Sequence, residues 1–426
     1  MSKIKPFRAL RPQANLAKQV SSVPYDVLNA REARVIAAGN PLSFLHVSRS
    51  EIDLPEGVNP YADEVYQKAK ENFQRLQTDG VLQTEDAHSL YVYELQMGER
   101  VQTGVVACCS IDEYDNGLIK KHEKTRPDKE NDRTRHMIEL EAQTGLIFLC
   151  YRGTDEINAL VAEIAKTEPL YDFEAEDVNK NSIRNRVWKA PAPESLVEAF
   201  GKIPAIYIAD GHHRAASSSR ARAFLRREAL EYLSHNEVCL QPEVEIQEAE
   251  YNYVIAALFP AEQLKILPYN RVVRDLNGLT TDEFFQKAGE EGFVVTETDD
   301  PTPENPGEIC VYTAGKWHNL RFNVQYFADP GVIENLDVTR LEKFILRPIL
   351  GIEDVRTDKR IDFVGGIRGT EELERLVDSG DWQIAFSMFP TTIDQLLEVS
   401  DMGEIMPPKS TWFEPKLRDG LLIHSI

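Results

Sequence analysis

Several things are scarce in this sequence. Its five cysteines, at 108, 109, 150, 239 and 310, are odd in number, and no two have the spacing of a zinc or redox motif. A disulfide framework is therefore not expected, and a reducing compartment, the cytoplasm, is the expected location. Long apolar runs are missing. Stretches such as Leu146–Tyr151 and Ile203–Ala209 are far too short to span a bilayer. Met1–Val20 carries Pro6, Arg8, Arg11, Pro12 and Lys18 where a signal peptide would be apolar. Positive charge is scarce too: 48 Lys and Arg stand against 70 Asp and Glu, a net charge of −22. Such a surface repels polyanions, which argues against nucleic acid and anionic membranes as partners. No repeat of fixed period is visible.

What is present is an ordinary globular composition, 42% hydrophobic and 28% charged over 426 residues. That length exceeds one typical core. The opening residues are irregular and proline-rich, as in Lys5-Pro6-Phe7 and Val23-Pro24-Tyr25-Asp26. A helical period follows over 61–76, with Tyr66, Ala69, Phe73 and Leu76 on one face. Two strand-like runs, 89–96 and 103–110, flank a hairpin turn at Met97-Gly98-Glu99-Arg100. Further strands are expected at 146–151, 203–210, 360–364 and 382–388. Helices are expected after Pro127 and over 155–166, 214–234, 338–350, 370–378 and 392–400. The class is mixed α/β. Four regions are expected: 1–110, 111–238, 239–330 and 331–426.

The most informative stretch runs Ile203-Pro-Ala-Ile-Tyr-Ile-Ala-Asp-Gly-His-His-Arg. A buried strand delivers Asp210 to its end. Gly211 permits a sharp turn and close approach of a ligand. His212, His213 and Arg214 then open a helix, whose free N–H groups and positive dipole end suit a phosphate. Arg214 can add bidentate donors, and Asp210 can hold a magnesium ion or orient a hydroxyl. The plainer alternative is a helix cap, a turn and satisfied polar groups. Adjacent histidines point in different directions, so His212 and His213 make a poor pair of metal ligands.

Two other tracts carry chemistry-bearing side chains. In Lys120-Lys121-His122-Glu123-Lys124-Thr125-Arg126-Pro127 a carboxylate sits among cations, so Glu123 is expected to be ionised and able to accept a proton. A solvated charged helix is the alternative. Near the C-terminus, Gly403-Glu404-Ile405-Met406-Pro407-Pro408-Lys409-Ser410-Thr411 offers a lysine and two hydroxyls, which can hold a phosphate or carboxylate or belong to a surface loop.

The Asp210–Arg214 box after an apolar strand resembles that of the ParB/sulfiredoxin-like superfamily, and its Asp-Gly-His-His-Arg form is similar to the free serine kinase branch. Sulfiredoxins place a reactive cysteine where His212 stands. ParB partition proteins have a more basic box and an added DNA-binding domain, at odds with the charge of −22. The kinase branch also has a His-Glu pair upstream, closer to the box than here, and a Pro-Lys-Thr-Thr tract near its end. Its tract continues with Arg-His, where this chain has Trp412-Phe413. The whole chain is also similar to a large, functionally uncharacterised bacterial and archaeal family that carries all these tracts.

The resemblance implies a ParB/sulfiredoxin-like catalytic core with an N-terminal region and insertions. It implies a phosphotransferase acting on free L-serine or O-phosphoserine, with ADP or ATP and Mg2+ as cofactors. Glu123, Asp210 and His213 would be catalytic, with Asp210 also holding the metal. Gly211, His212, Arg214, His122 and Arg126 would bind phosphate or nucleotide. Lys409, Ser410 and Thr411 would position the amino acid. A phosphoserine phosphatase-type hydrolase and a non-catalytic nucleotide- or phosphoserine-sensing protein are the alternatives, and a homodimer is left open. The charge pattern fits one anionic small ligand: residues 211–227 hold five arginines and no acid in an otherwise acidic chain.

Overall fold

The computed structural model describes residues 3–235, 246–323 and 331–426; Cys239 lies outside them. The chain divides into two compact units. The first comprises 1–121, 125–264 and 415–426, and the second comprises 122–124 and 265–414.

The first unit is built on a nine-stranded mixed sheet. Its order runs Ile119–Lys120, Ile206–Asp210, Ile147–Tyr151, Tyr253–Pro260, Arg100–Ser110, Tyr91–Met97, Ser182–Lys189, Tyr171–Glu176, with Ile4–Lys5 also pairing with Arg100–Ser110. The hairpin turn falls where the sequence places it, with Met97 opposite Arg100. Ile147–Tyr151 runs parallel to Tyr253–Pro260 and antiparallel to Ile206–Asp210. These central strands are nearly continuous apolar runs because both faces are covered. One face packs Ile147, Leu149, Ile206, Ile208, Ala256 and Leu258 into a buried cluster with Leu196 and Phe200 of the helix Pro193–Phe200.

The helix Pro127–Leu140 starts with proline at its first turn, where no N–H is needed. It packs beside His212–His235, which is 24 residues long. The 61–76 period is realised as Asp63–Thr78, with Tyr66, Ala69, Phe73 and Leu76 all buried. The opening proline-rich stretch is more ordered than its sequence suggests. Ala9–Pro12 pairs with Leu82–Thr84 and with the chain's final strand, Ile423–Ser425.

The second unit has a six-stranded, wholly antiparallel sheet: Phe293–Glu297, Lys316–Phe322, Glu308–Thr313, Ile384–Met388, Tyr269–Val273, Ile361–Gly365. The helix Glu371–Asp378 lays Leu373, Leu376 and Val377 on this sheet against Val272, Tyr312 and Ala385. The 338–350 helix is interrupted: Asp337–Leu341 is α-helical, and Glu342–Leu346 widens into a π turn. The mixed α/β class holds for the chain as described. No helix among the described residues is long and apolar enough to cross a membrane.

Candidate functional site

The strand Ile206–Asp210 has a register shift just before its end, with Ile208 opposite Leu149 and Asp210 opposite Phe148. Ile206 and Ile208 face the apolar core. Regular alternation would send Asp210 there as well, and the extra residue breaks that alternation. Gly211 then takes a φ of +90°, a conformation that side chains rarely tolerate, and the helix begins at His212. The motif is thus a strand, a bulge, a glycine turn and a helix N-terminus.

Both oxygens of Asp210 are engaged. Oδ1 accepts the Gly211 N–H at 2.8 Å, and Oδ2 accepts from Lys416 Nζ at 2.8 Å. Burial opposes ionisation, but the Lys416 ammonium, Arg214 and the Gly211 N–H outweigh it and hold the carboxyl well below its usual range. A metal ion at Asp210 would compete with Lys416 for the carboxylate.

His213 is fixed by the backbone of the second tract, with Arg126 N–H donating to Nε2 at 3.1 Å. Nε2 is therefore the unprotonated nitrogen and the ring proton belongs on Nδ1. Burial lowers the ring's pKa against the pull of Asp26 and Glu130, so the imidazole is neutral at neutral pH. The Arg126 side chain turns to solvent and pairs with Asp128 at 2.8 Å. His212 is buried.

Arg214 points inward. Nη1 donates to the Leu146 carbonyl at 2.6 Å, Nη2 lies 3.7 Å from Asp26, and the guanidinium sits over the Tyr25 ring at 5.6 Å. Arg133 covers the same ring at 4.1 Å and pairs with Asp132 at 2.9 Å, while Tyr66 donates its hydroxyl to Asp132 at 2.8 Å. Asp419 completes the group. Burial pushes its pKa up to about 6, with Arg214 opposing and Asp26 adding to the rise. A Cβ on Gly145 would lie 2.7 Å from Asp419 Oδ1 and 3.4 Å from Arg214 Nε, so this position has no room for a side chain.

Tyr25, Asp26, Arg133, Lys416 and Asp419 are the site residues that sequence reasoning did not assign. The tract Val23-Pro24-Tyr25-Asp26 was a visible signal without a role.

The second unit brings two tracts together. Met406 N–H donates to the His122 carbonyl at 2.8 Å, which ties the His122-Glu123 pair to the C-terminal loop. Glu123 is half-buried and Lys409 exposed. Lys409 has a φ of +59°, and its carbonyl accepts from the buried Arg271 at 3.0 Å. Lys409 Nζ lies 5.2 Å from the centre of the Tyr269 ring, which meets Trp412 edge-on at 5.0 Å. The Ser410 hydroxyl is buried and donates to the Pro407 carbonyl at 2.6 Å, and the Ser410 carbonyl accepts from Thr391 at 2.9 Å. Ser410 therefore shapes the loop, and Lys409 is the exposed cation. Thr411 is half-buried.

Over residues 4–339 the sequence matches the family described as protein of unknown function, DUF1015. The chain belongs to that family. No curated protein matches it. Among solved structures it is similar to a free serine kinase in complex with AMP, at 13% identity and a TM-score of 0.34, over 75% of this chain and 92% of that one. A conserved hypothetical protein from Pyrococcus furiosus matches at 14% identity and 0.34, over 75% and 94%. SbnI from Staphylococcus aureus, truncated at its C-terminus, matches at 11% and 0.38, over 75% and 87%. Likenesses this distant assign no activity to the chain.

Proposed function

We propose that this chain is a phosphotransferase that moves a phosphoryl group between free L-serine and a nucleotide, ADP or ATP. The observation that carries this reading is the turn at Asp210–His213. A bulged strand, a positive-φ glycine and the N-terminus of a long helix make a turn whose free N–H groups suit a phosphate. The residue pattern of all three tracts, similar to that of the free serine kinases, supports serine as the acceptor.

In the forward direction Glu123 takes the proton of the serine hydroxyl, whose oxygen attacks the terminal phosphorus of the nucleotide. The new O–P bond forms as the bridging P–O bond breaks, and the shortened nucleotide leaves with that electron pair. The N–H groups after Gly211 hold the transferred phosphoryl group. Neutral His213 offers Nδ1–H as a donor to its oxygens, because Nε2 is already occupied by Arg126. Lys409, with Thr411, positions the amino acid. Asp210 is the carboxylate on this turn that could hold Mg2+, competing with Lys416 for it, and the metal would neutralise phosphate oxygens. The reverse direction, O-phosphoserine to nucleotide or to water, uses the same groups.

The Lys416–Asp210 pair favours one rival, a protein that senses nucleotide or phosphoserine without turning it over. With the carboxylate neutralised by a side chain, a bound phosphate would meet a fixed receptor. Incubation with L-serine and ADP, ATP or pyrophosphate, and separately with O-phosphoserine, separates the two readings. Interconversion supports the enzyme, and tight binding without turnover supports the sensor.

A further inference from the structure

A cleft with a volume of about 520 Å³ lies in the first unit, and none of the turn residues 210–214 lines it. That falls in the usual range for small-ligand sites. Its lining places two opposite charges, Arg418 and Glu174, that make no ion pair within 4 Å among the described residues. Arg418 is fixed by neutral acceptors: Nε to Ser21 Oγ at 3.1 Å, Nη2 to the Ser21 carbonyl at 3.1 Å, and Nη1 to the Glu176 carbonyl at 3.2 Å. Among the described residues no carboxylate comes within ion-pair distance of it, and burial disfavours its charge. Three acceptors use three of the five N–H groups of a guanidinium, which leaves donors for an anion. Ser22, only 3% exposed, also lines the cleft, and its Oγ has no hydrogen-bond partner among the described residues.

On the other side stands Glu174. One of its oxygens accepts from Ser182 at 3.0 Å, and Arg184, its neighbour across the strand pair, gives its hydrogen bonds to Asp172 instead, at 2.8 and 2.7 Å. Glu174 precedes Glu176 by two residues on one strand, about 7 Å along it. A guanidinium with spare donors and a spare hydroxyl, lining the same cleft as a carboxylate, matches one ligand chemistry: a carboxylate and an ammonium on one small molecule.

We propose that this cleft is a second binding site, for a free α-amino acid, with Arg418 and Ser22 on its carboxylate and Glu174 on its ammonium. The site stands apart from the phosphate turn and does not depend on the phosphotransferase reading. It is nevertheless one backbone pair from the turn's buried charges. Ser22 exchanges two hydrogen bonds with Asp419, N to O at 3.1 Å and O to N at 2.9 Å, and Asp419 is the carboxylate beside Arg214.

Calorimetric titration of the full chain with the proteinogenic amino acids one at a time, and with acetate and inorganic phosphate as controls, tests the proposal. At least one amino acid is expected to bind, and neither control to match it. Replacing the exposed Glu174 in Glu174→Gln should weaken that binding about tenfold or more, the size of one charge-assisted hydrogen bond. Gly211→Ala should weaken it far less than Glu174→Gln does. Arg418→Met should abolish it, and since burial of Arg418 puts folding at risk in that variant, Glu174→Gln decides. Three results would each overturn the second site: no amino acid binds, Glu174→Gln binds as the parent does, or binding is lost in Gly211→Ala but kept in Glu174→Gln. The last result would place the amino acid at the turn.

Discussion

Lys416 Nζ lies 2.8 Å from Asp210 Oδ2, so a lysine ten residues from the chain's end neutralises the carboxylate that opens the glycine turn. Asp210 has its pKa depressed, so its contribution to stability is present above the unfolded value and is lost as pH falls through the folded one. Lys416→Met removes the chief partner. Stability at neutral pH is expected to drop by about 1 kcal/mol, since the carboxylate is partly exposed. The acid limb of the stability curve should become shallower. Denaturant titrations across the acid range check both, and an unchanged limb would mean that Lys416 does not set the charge of Asp210.

Gly211 offers a cleaner perturbation of the cradle. A Cβ there would meet Ile147 Cα at 3.5 Å, an ordinary contact, so the cost of Gly211→Ala is the φ of +90° and not a clash. The expected loss is about 1–2 kcal/mol. Nucleotide affinity should fall with it as the helix N-terminus shifts. A folded variant with parental nucleotide affinity would remove the turn from the site.

Asp419 should act as a pH sensor of the buried cluster. Its pKa is raised to about 6, so the stability tied to its protonated form is complete below the unfolded value, about 4, and is lost as pH rises through 6. Asp419→Asn, which mimics the neutral form, should therefore gain on the parent between about pH 4 and 6 and keep that advantage at neutral pH. Thermal melts across this window read the difference. A constant gap between variant and parent would show that Asp419 stays ionised throughout.

Much of the local structure was legible. The apolar runs around 147–151 and 206–210, the turn at Gly98-Glu99 and the helix after Pro127 follow from period, turn chemistry and proline placement. The strand Ser182–Lys189 was not legible. Its Arg184, Asn185 and Arg186 interrupt any apolar pattern, and it is held by pairing with Tyr91–Met97 far away in sequence. The same holds for the site. The strand, glycine and histidines of the turn can be read locally. The partners of Arg214 and Asp210 cannot, because Asp26, Lys416 and Asp419 come from the two ends of the chain. The bulge at Ile208–Asp210 also left no mark, since it depends on the register with Leu149 and Phe148.

Glu123 is the proposed base of the transfer. It precedes Arg126 by three positions, so its Cα lies within about 11 Å of the residue whose N–H meets His213. The most direct measurement follows L-serine and O-phosphoserine by mass spectrometry, with ADP or ATP and Mg2+, in the parent and in Glu123→Gln. Interconversion is expected in the parent, with a loss of at least about a hundredfold in the variant, the usual contribution of a positioned base. Nucleotide binding should persist in that variant. An inert parent, or a Glu123→Gln variant with full activity, would contradict that role.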